Sequence, residues 1–391
     1  MINRQKIAIL GSTGSIGKSL LKIIHKDKNN FDILLLTANK NYLELLKQTK
    51  NFSVKNVIIK DRECYEKFKK INKNKNLKIF NNYNHLSSIF KKKADYSMSA
   101  IIGLEGLDPT LKIIKYSKKI AIANKESIIC GWNLLKKKIK KYKTVFIPVD
   151  SEHFSIWYAL QNTNITNINK IFITASGGPL LRLSEKKIKK IKIKDVLNHP
   201  NWSMGKKITI DSSTMMNKVF ELIEAKNIFN IGFDKLEIIV HPKSYVHAII
   251  SFKDGMINLI AHETTMDIPI FNSIYGNKEY YKKLDKLNIP KLNNLQLINV
   301  DKKKFPIIKI LKNIPNEISL FETVLVSAND ELVRLYLNKK IQYNEIASKL
   351  LKLLSLNEFT KFKKIKPRNI TDIVKLDKHV RLKVNSKSVY N

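Results

Sequence analysis

Residues 6–24 read "KIAIL", "GSTGSIG", "KSLLKII": an apolar run, three glycines within seven residues, then apolar residues at helical spacing. A strand that turns through glycine into a helix aims backbone N–H groups and the positive helix end at one point, which suits a pyrophosphate. Glycine is needed because a side chain would block the phosphate or the φ values of the turn. The spacing here is GxxGxxG, a variant of the usual GxGxxG. A plain strand-to-helix turn without a ligand is the competing reading.

The rest of the N-terminal half agrees with a nucleotide fold. Up to about residue 150, the β-like runs "KIAIL", "DILLLTA", "VKNVIIK", "YSMSAIIG", "KKIAIAN" and "TVFIPVD" alternate with helical stretches. Continuous apolar strands joined by helices predict a parallel sheet covered on both faces, an α/β doubly wound, Rossmann-like domain over 1–150. A central α+β catalytic domain is expected over 151–275, with strand-like "KIFITAS" and "KLEIIVHPKSYVHAIISF" around the helical "STMMNKVFELIEAKNIF". Residues 276–304 read as a linker rich in Lys, Asn and Pro, and 305–391 as a C-terminal helical bundle. No internal repeat is visible.

Composition narrows the function classes. The 391 residues carry 72 Lys+Arg against 33 Asp+Glu, a formal charge of +39. Such an excess ordinarily suggests nucleic acid, but the lysines recur along the whole chain beside Asn and Ile, as in "KKIKKIKIKD", and form no single tail or recognition helix. Solvated lysine faces are the better reading, and no nucleic-acid partner is expected. The short apolar run at the N-terminus meets Gly11 at once, so neither a signal peptide nor a membrane partner is expected and the location reads as cytoplasmic. Cys64 and Cys130 lie in no metal-binding pattern and read as reduced packing residues.

The second strand ends "LLLTANKN", where an NAD site usually places Asp or Glu to accept the ribose 2′-hydroxyl. Lys40 stands there instead, and a cation favours a 2′-phosphate, so NADPH is expected.

"TVFIPVDSEH" carries Asp150 and Glu152 at the end of the last strand. Residues i and i+2 of an extended segment point to the same side, so both carboxylates are expected to converge at the carboxyl edge of the sheet. Asn217, Lys218 and Glu221 share a face of the following long helix, and Glu221 would complete a set of hard oxygen ligands for Mg²⁺ or Mn²⁺. That helix is expected to begin at Asp211, Ser212 and Ser213, residues of capping type. Ser212, Asn217 and Lys218 offer hydroxyl, amide and cation to a phosphate monoester, and "SGGP" from Ser176 adds a small-residue turn. "NHPNWSMGKK" places His199, Trp202 and Met204 in a segment without strand or helix period, which reads as a lid or as ordinary core.

In this order, "GSTGSIG", "ANKES", "PVDSEH", "SGGP", "HPNWSMG" and "DSSTMMNK" followed by "ELIEA" closely resemble the 1-deoxy-D-xylulose 5-phosphate reductoisomerase family over almost the whole chain. The resemblance implies a homodimer acting on a small sugar phosphate. It implies that Thr13, Gly14, Ser15 and Ile16 hold NADPH, with Asn39, Lys40 and Asn41 on its adenosine-phosphate side. Asn124, Glu126 and the Gly205 backbone would also contact cofactor, while Lys125 reaches substrate. Asp150, Glu152 and Glu221 match metal ligands; Ser151 and Glu152 would bond substrate hydroxyls; Ser176, Ser212, Asn217 and Lys218 match the phosphate pocket. His199 would touch substrate, and Trp202 and Met204 fall in the closing lid. The ion would chelate the C2 carbonyl and C3 hydroxyl oxygens of the substrate for a skeletal rearrangement, followed by hydride transfer from NADPH. Asn39 stands where the family has Gly, tolerable because Asn accepts positive φ. "AHETTMDIPI" and "SANDE" around Asn329 also depart from the family pattern, and their effect is expected on stability and dimer packing. A dehydrogenase without metal and a nucleic-acid-binding protein are the rival classes.

Overall fold

The computed structural model describes residues 4–161, 163–202, 204–276 and 287–386. The chain divides into two units: Met1–Ile128 with Asn133–Asp150 and Met266–Tyr281, and Ile129–Trp132 with Ser151–Thr265 and Lys282–Asn391.

The first unit comprises β1 (Gln5–Leu10), α1 (Ser15–His25), β2 (Phe31–Ala38), α2 (Tyr42–Phe52), β3 (Asn56–Ile59), α3 (Arg62–Ile71), β4 (Lys78–Phe80), β5 (Ala94–Ser99), β6 (Ser117–Ile122), α4 (Lys125–Tyr142) and β7 (Val145–Pro148). The sheet runs β4-β3-β2-β1-β5-β6-β7, with every pairing parallel. All six expected runs are strands. The seventh, β4, has only three residues next to a Lys/Asn-rich stretch, too short for a periodic signal. Strand order reverses between β1 and β5, the place where open α/β sheets bind ligands. Ile7, Ile9, Leu20, Ile24, Leu36, Val57 and Phe68 form one buried cluster.

That cluster also contains Ile270, Ile274 and Tyr275 of the helix Asp267–Tyr275. Tyr275 donates to Asp27 at 2.9 Å, and the Ser273 and Tyr96 hydroxyls are 2.7 Å apart. Burial of these apolar side chains draws this helix into the first unit, whereas the sequence groups it with the central domain.

The second unit contains α5 (Ser151–Ala159), β8 (Ile168–Ala175), α6 (Lys206–Ser213), α7 (Met216–Phe229), β9 (Leu236–Val240), β10 (Val246–Phe252), β11 (Ile257–Ala261), β12 (Ile298–Asn299), α8 (Phe321–Leu337), α9 (Tyr343–Leu354) and α10 (Ile370–Asn385). Its sheet runs β11-β10-β8-β9-β12, mixed, with β8 and β9 parallel. Of the expected linker 276–304, residues 277–286 lie outside the described residues. The described remainder is partly ordered into structure, since β12 pairs with β9. Helix α8 is buried along most of its length, with α9 and α10 against it.

One local expectation fails. Asp211, Ser212 and Ser213 do not begin the long helix; they form the last turn of α6. The Ser213 hydroxyl donates back to the Ile210 carbonyl at 2.7 Å and that of Thr214 to the same oxygen at 3.2 Å, so these side chains finish a helix rather than cap the next one. Met215 then takes φ +66°, and α7 starts at Met216 without a side-chain cap.

Among the described residues no helix is long and apolar enough to cross a membrane. Cys64 and Cys130 are free thiols.

Candidate active site

The glycines of the first turn have separate duties. A Cβ on Gly11, at φ +80°, would lie 2.7 Å from the Ala100 carbonyl oxygen, and one on Gly17 would lie 2.5 Å from the Ser12 Cα. These two close the turn and seat α1 on it. Gly14 is different: it is the N-cap of α1, has no side-chain cap, and the nearest atom to an added Cβ is 3.4 Å away. The first turn of α1 also contains no acidic residue. Thr13, Gly14 and Ile16 are partly accessible and Ser15 exposed, leaving uncapped N–H groups for an anion. The turn is anchored from behind, where Gly11 N–H donates to Thr37 Oγ1 at 2.9 Å and Gln48 to the Ser12 carbonyl at 3.0 Å.

Asn39, Lys40 and Asn41 are all exposed just past β2. Asn41 N-caps α2, accepting from Glu44 N–H at 3.3 Å. Asn39 does not adopt a positive φ, so its replacement of glycine asks nothing unusual of the backbone.

Asn124 is buried and N-caps α4, accepting from Ser127 N–H at 2.6 Å while its amide donates to the carbonyls of Ile101 and Gly103. The buried Glu126 and half-buried Lys125 follow in the first turn, and Lys125 pairs with Asp150.

One carboxylate oxygen from each of Asp150, Glu152 and Glu221 lies within 4.8 Å of the others. The convergence agrees with the spacing, but its cause differs. β7 ends at Pro148; Asp150 sits in the bend beyond it and Glu152 in the first turn of α5, so a turn into a helix, not an extended strand, brings the two together. Glu221 is 1 % exposed and no solvated helix residue. It accepts from Asn217 Nδ2 at 2.5 Å and from Lys218 Nζ at 2.5 Å. Lys218 also pairs with Glu152, whose other oxygen accepts from Ser151 Oγ at 2.5 Å. Three carboxylates against the ammonium groups of Lys125 and Lys218 leave one net negative charge. Hard oxygen donors with no soft ligand among them fit Mg²⁺ or Mn²⁺.

His199 Nδ1 accepts the backbone N–H groups of Asn201 (3.2 Å) and Trp202 (3.0 Å), so the ring proton sits on Nε2, which donates to Ser176 Oγ at 3.1 Å. Burial, and secondarily the Lys218 ammonium, push the His199 pKa down to about 4. Ser176 also accepts from Gly178 N–H at 3.0 Å, within a turn where Gly177 and Gly178 have φ +79° and +64°. Residues 197–202 and 204–205 lie in no helix or strand; Trp202 stacks edge-on to His247, and Met204 is half-buried. Gly205 N-caps α6 without a side-chain cap, in open space.

Sequence alone assigns no role to His153 or Glu224. Both are buried, His153 Nε2 donating to the Glu221 carbonyl at 2.8 Å and its Nδ1 lying 3.9 Å from the Glu224 carboxylate. They lock α5 to α7 behind the carboxylates. The available signal is a histidine directly after Asp-Ser-Glu and a second Glu three residues after Glu221.

The family model for 1-deoxy-D-xylulose 5-phosphate reductoisomerase matches residues 7–131, and two models for C-terminal domains of that enzyme match 146–229 and 262–383. The chain is 59% identical over 387 residues to the reductoisomerase of Pelagibacter ubique, covering 98% of this chain and 100% of that one, and 37% identical over 382 residues to that of Wolbachia pipientis wMel, covering 97% and 96%. Among solved structures it is similar to the Zymomonas mobilis reductoisomerase in complex with NADPH (30% identity, TM-score 0.87, 98% of each chain). It is also similar to a reductoisomerase in complex with NADPH, fosmidomycin and magnesium (30% identity, TM-score 0.89, 97% of each chain).

Proposed function

The chain belongs to the 1-deoxy-D-xylulose 5-phosphate reductoisomerase family, and on that premise we propose how its own residues divide the work. The enzyme rearranges and reduces 1-deoxy-D-xylulose 5-phosphate to 2-C-methyl-D-erythritol 4-phosphate, an isoprenoid precursor, using NADPH and a divalent metal ion. When bound, the ion supplies Lewis acidity toward the substrate oxygens and NADPH supplies the hydride.

The observation that carries the assignment of residues is the convergence of Asp150, Glu152 and Glu221 with Lys218 between two of them. Asp150, Glu152 and Glu221 would hold Mg²⁺ or Mn²⁺. Ser151 orients Glu152, which accepts and returns a substrate hydroxyl proton. Lys125 holds a substrate oxygen. Ser176, Ser212, Asn217 and Lys218 bind the phosphate, with His199 as a neutral Nε2–H donor behind Ser176. Phosphate binding, remote from the reacting carbons, positions them and orders the segment bearing Trp202 and Met204. Thr13 to Ile16 take the pyrophosphate and Asn39 to Asn41 the adenosine phosphate, with Asn124 shaping the turn and Glu126 and the Gly205 backbone contacting the cofactor.

We assign the division of labour to an NADPH-binding part formed by 1–150 with the helix Asp267–Tyr275, a catalytic part within 151–265 and a supporting helical part within 305–391, and place the enzyme in the cytoplasm. A homodimer is supported by β11, an edge strand whose Ile257 and Leu259, with Met256 before them, are 56 %, 44 % and 65 % exposed. Such an apolar edge is an association surface unless covered.

The deciding experiment follows NADPH absorbance after addition of 1-deoxy-D-xylulose 5-phosphate with Mg²⁺ or Mn²⁺, against samples with chelator or with NADH. Metal-dependent oxidation preferring NADPH is expected; oxidation indifferent to chelation would overturn the carboxylate assignment. Ile257→Lys is expected to shift the chain to monomer by light scattering.

A further inference from the structure

Ser212 differs from the residues around it. The Ser213 and Thr214 hydroxyls are spent on backbone carbonyls, whereas among the described residues Ser212 Oγ has no partner. Its neighbour Asp211 is held by the C-terminal helix α8. Asp211, 1 % exposed, accepts from the fully buried Asn329 of α8, Nδ2 to Oδ1 at 2.8 Å. Asp211 also pairs with Lys207 at 2.9 Å, and Lys207 reaches Asp330, the residue after Asn329, at 2.9 Å. A further constraint comes from Gly178, where a Cβ would lie 3.1 Å from the Ser212 carbonyl oxygen.

The last turn of a helix is ordinarily its most mobile part, with its carbonyls unpaired. Here that turn ends at a single left-handed residue, Met215, and the first turn of α7, with Asn217 and Lys218, comes directly after it. Any rotation of the α6 end would therefore displace the Ser212 hydroxyl relative to both.

We infer that Asn329 of α8 is a positioning residue for the substrate-phosphate site, fixing Ser212 by gripping the residue before it. The inference rests on Ser212 as a phosphate ligand. It assigns the "SANDE" segment a part in substrate recognition, where sequence alone suggests a part in stability. Asn329 does not touch substrate, so it acts on KM for the sugar phosphate and leaves NADPH binding alone.

The test is a double-mutant cycle between Asn329→Ala and Ser212→Ala, reading KM for 1-deoxy-D-xylulose 5-phosphate, KM for NADPH and kcat. Asn329→Ala is expected to raise the sugar-phosphate KM about 5- to 20-fold, on the order of one charge-assisted hydrogen bond, with the NADPH KM changed less than about twofold. In the Ser212→Ala background the same change should raise KM less than about twofold, because the hydroxyl it positions is gone. Lys207→Met, which removes the other hold on Asp211, should act in the same direction and carries the cycle if Asn329→Ala does not fold. Additive effects on KM, or parallel shifts in the KM of sugar phosphate and NADPH, would overturn the inference while leaving Ser212 as a ligand. An unchanged KM in Ser212→Ala would remove the phosphate assignment and the inference with it.

Discussion

The Lys218 ammonium is ion-paired with the Glu152 carboxylate, 66 residues away in sequence, and with Glu221 one turn along its own helix. With exposures of 9 % for Lys218, 13 % for Glu152 and 1 % for Glu221, these charges have little water to screen them. Lys218→Ala leaves two carboxylates facing each other. It should raise the sugar-phosphate dissociation constant at least about tenfold while changing that of NADPH less than about twofold, as measured by separate titrations. Equal losses would place Lys218 outside the phosphate site.

Glu152 carries a Lys218 pair on one oxygen and the Ser151 hydroxyl on the other. Glu152→Gln keeps the shape but removes a negative charge and a proton acceptor, so turnover should fall by about 10²-fold or more. Near-native kcat at saturating metal would show that the carboxylate takes no part in proton transfer.

The two kinds of glycine in the first turn should separate in experiment. Gly17→Ala forces a Cβ to 2.5 Å from the Ser12 Cα and should cost about 2 kcal/mol or more in denaturant unfolding. Gly14→Ala meets nothing nearer than 3.4 Å, so stability should change by less than about 1 kcal/mol while NADPH affinity drops. Loss of affinity without loss of stability is the signature of a residue facing the cofactor.

His199 keeps its neutral form down to about pH 4, against 6.5 for an ordinary histidine. As pH falls, the unfolded chain takes up this proton first, so the residue's contribution to stability is present above about 6.5 and is lost between about 6.5 and 4. His199→Gln abolishes that slope. The stability gap between wild type and variant in urea titrations should therefore be smaller at pH 5 than at pH 7.

Farther from the site, Lys226 of α7 and Glu322 of α8 form an ion pair at 3.2 Å, with exposures of 5 % and 0 %. Burial raises the Glu322 pKa, against the pull of Lys226 and Ser319. Lys226→Met strands a buried carboxylate and should cost about 3–5 kcal/mol. Adding Glu322→Leu should recover much of the loss, and failure to do so would mean that the pair, not the stranded charge, supplies the stability.

What the sequence revealed depended on how local the cause is. The glycine turn, six of the strands of the parallel sheet and the Asn217–Lys218–Glu221 face rest on neighbours within one strand or one helix, and all three appear in the structure. The break at Met215 was not legible, because the hydroxyl residues before it can serve either helix and only their hydrogen bonds decide. Asp150 and Glu152 meet for a different reason than their spacing suggests. His153 acts through a partner 68 residues away and Asn329 through one 118 residues away, with Glu224 likewise reaching across the chain, and no pattern within a single element announces them.

The helix Asp267–Tyr275 has a consequence for how the protein is made. Ile270, Ile274 and Tyr275 complete a core whose other members are encoded by the first 150 residues. On the ribosome, the nucleotide-binding unit must wait with that surface uncovered while the stretch 151–265 is synthesised, so its final closure comes after most of the catalytic sheet exists. A fragment cut at residue 150 should stick to itself, and one carrying 267–275 on a short tether should not.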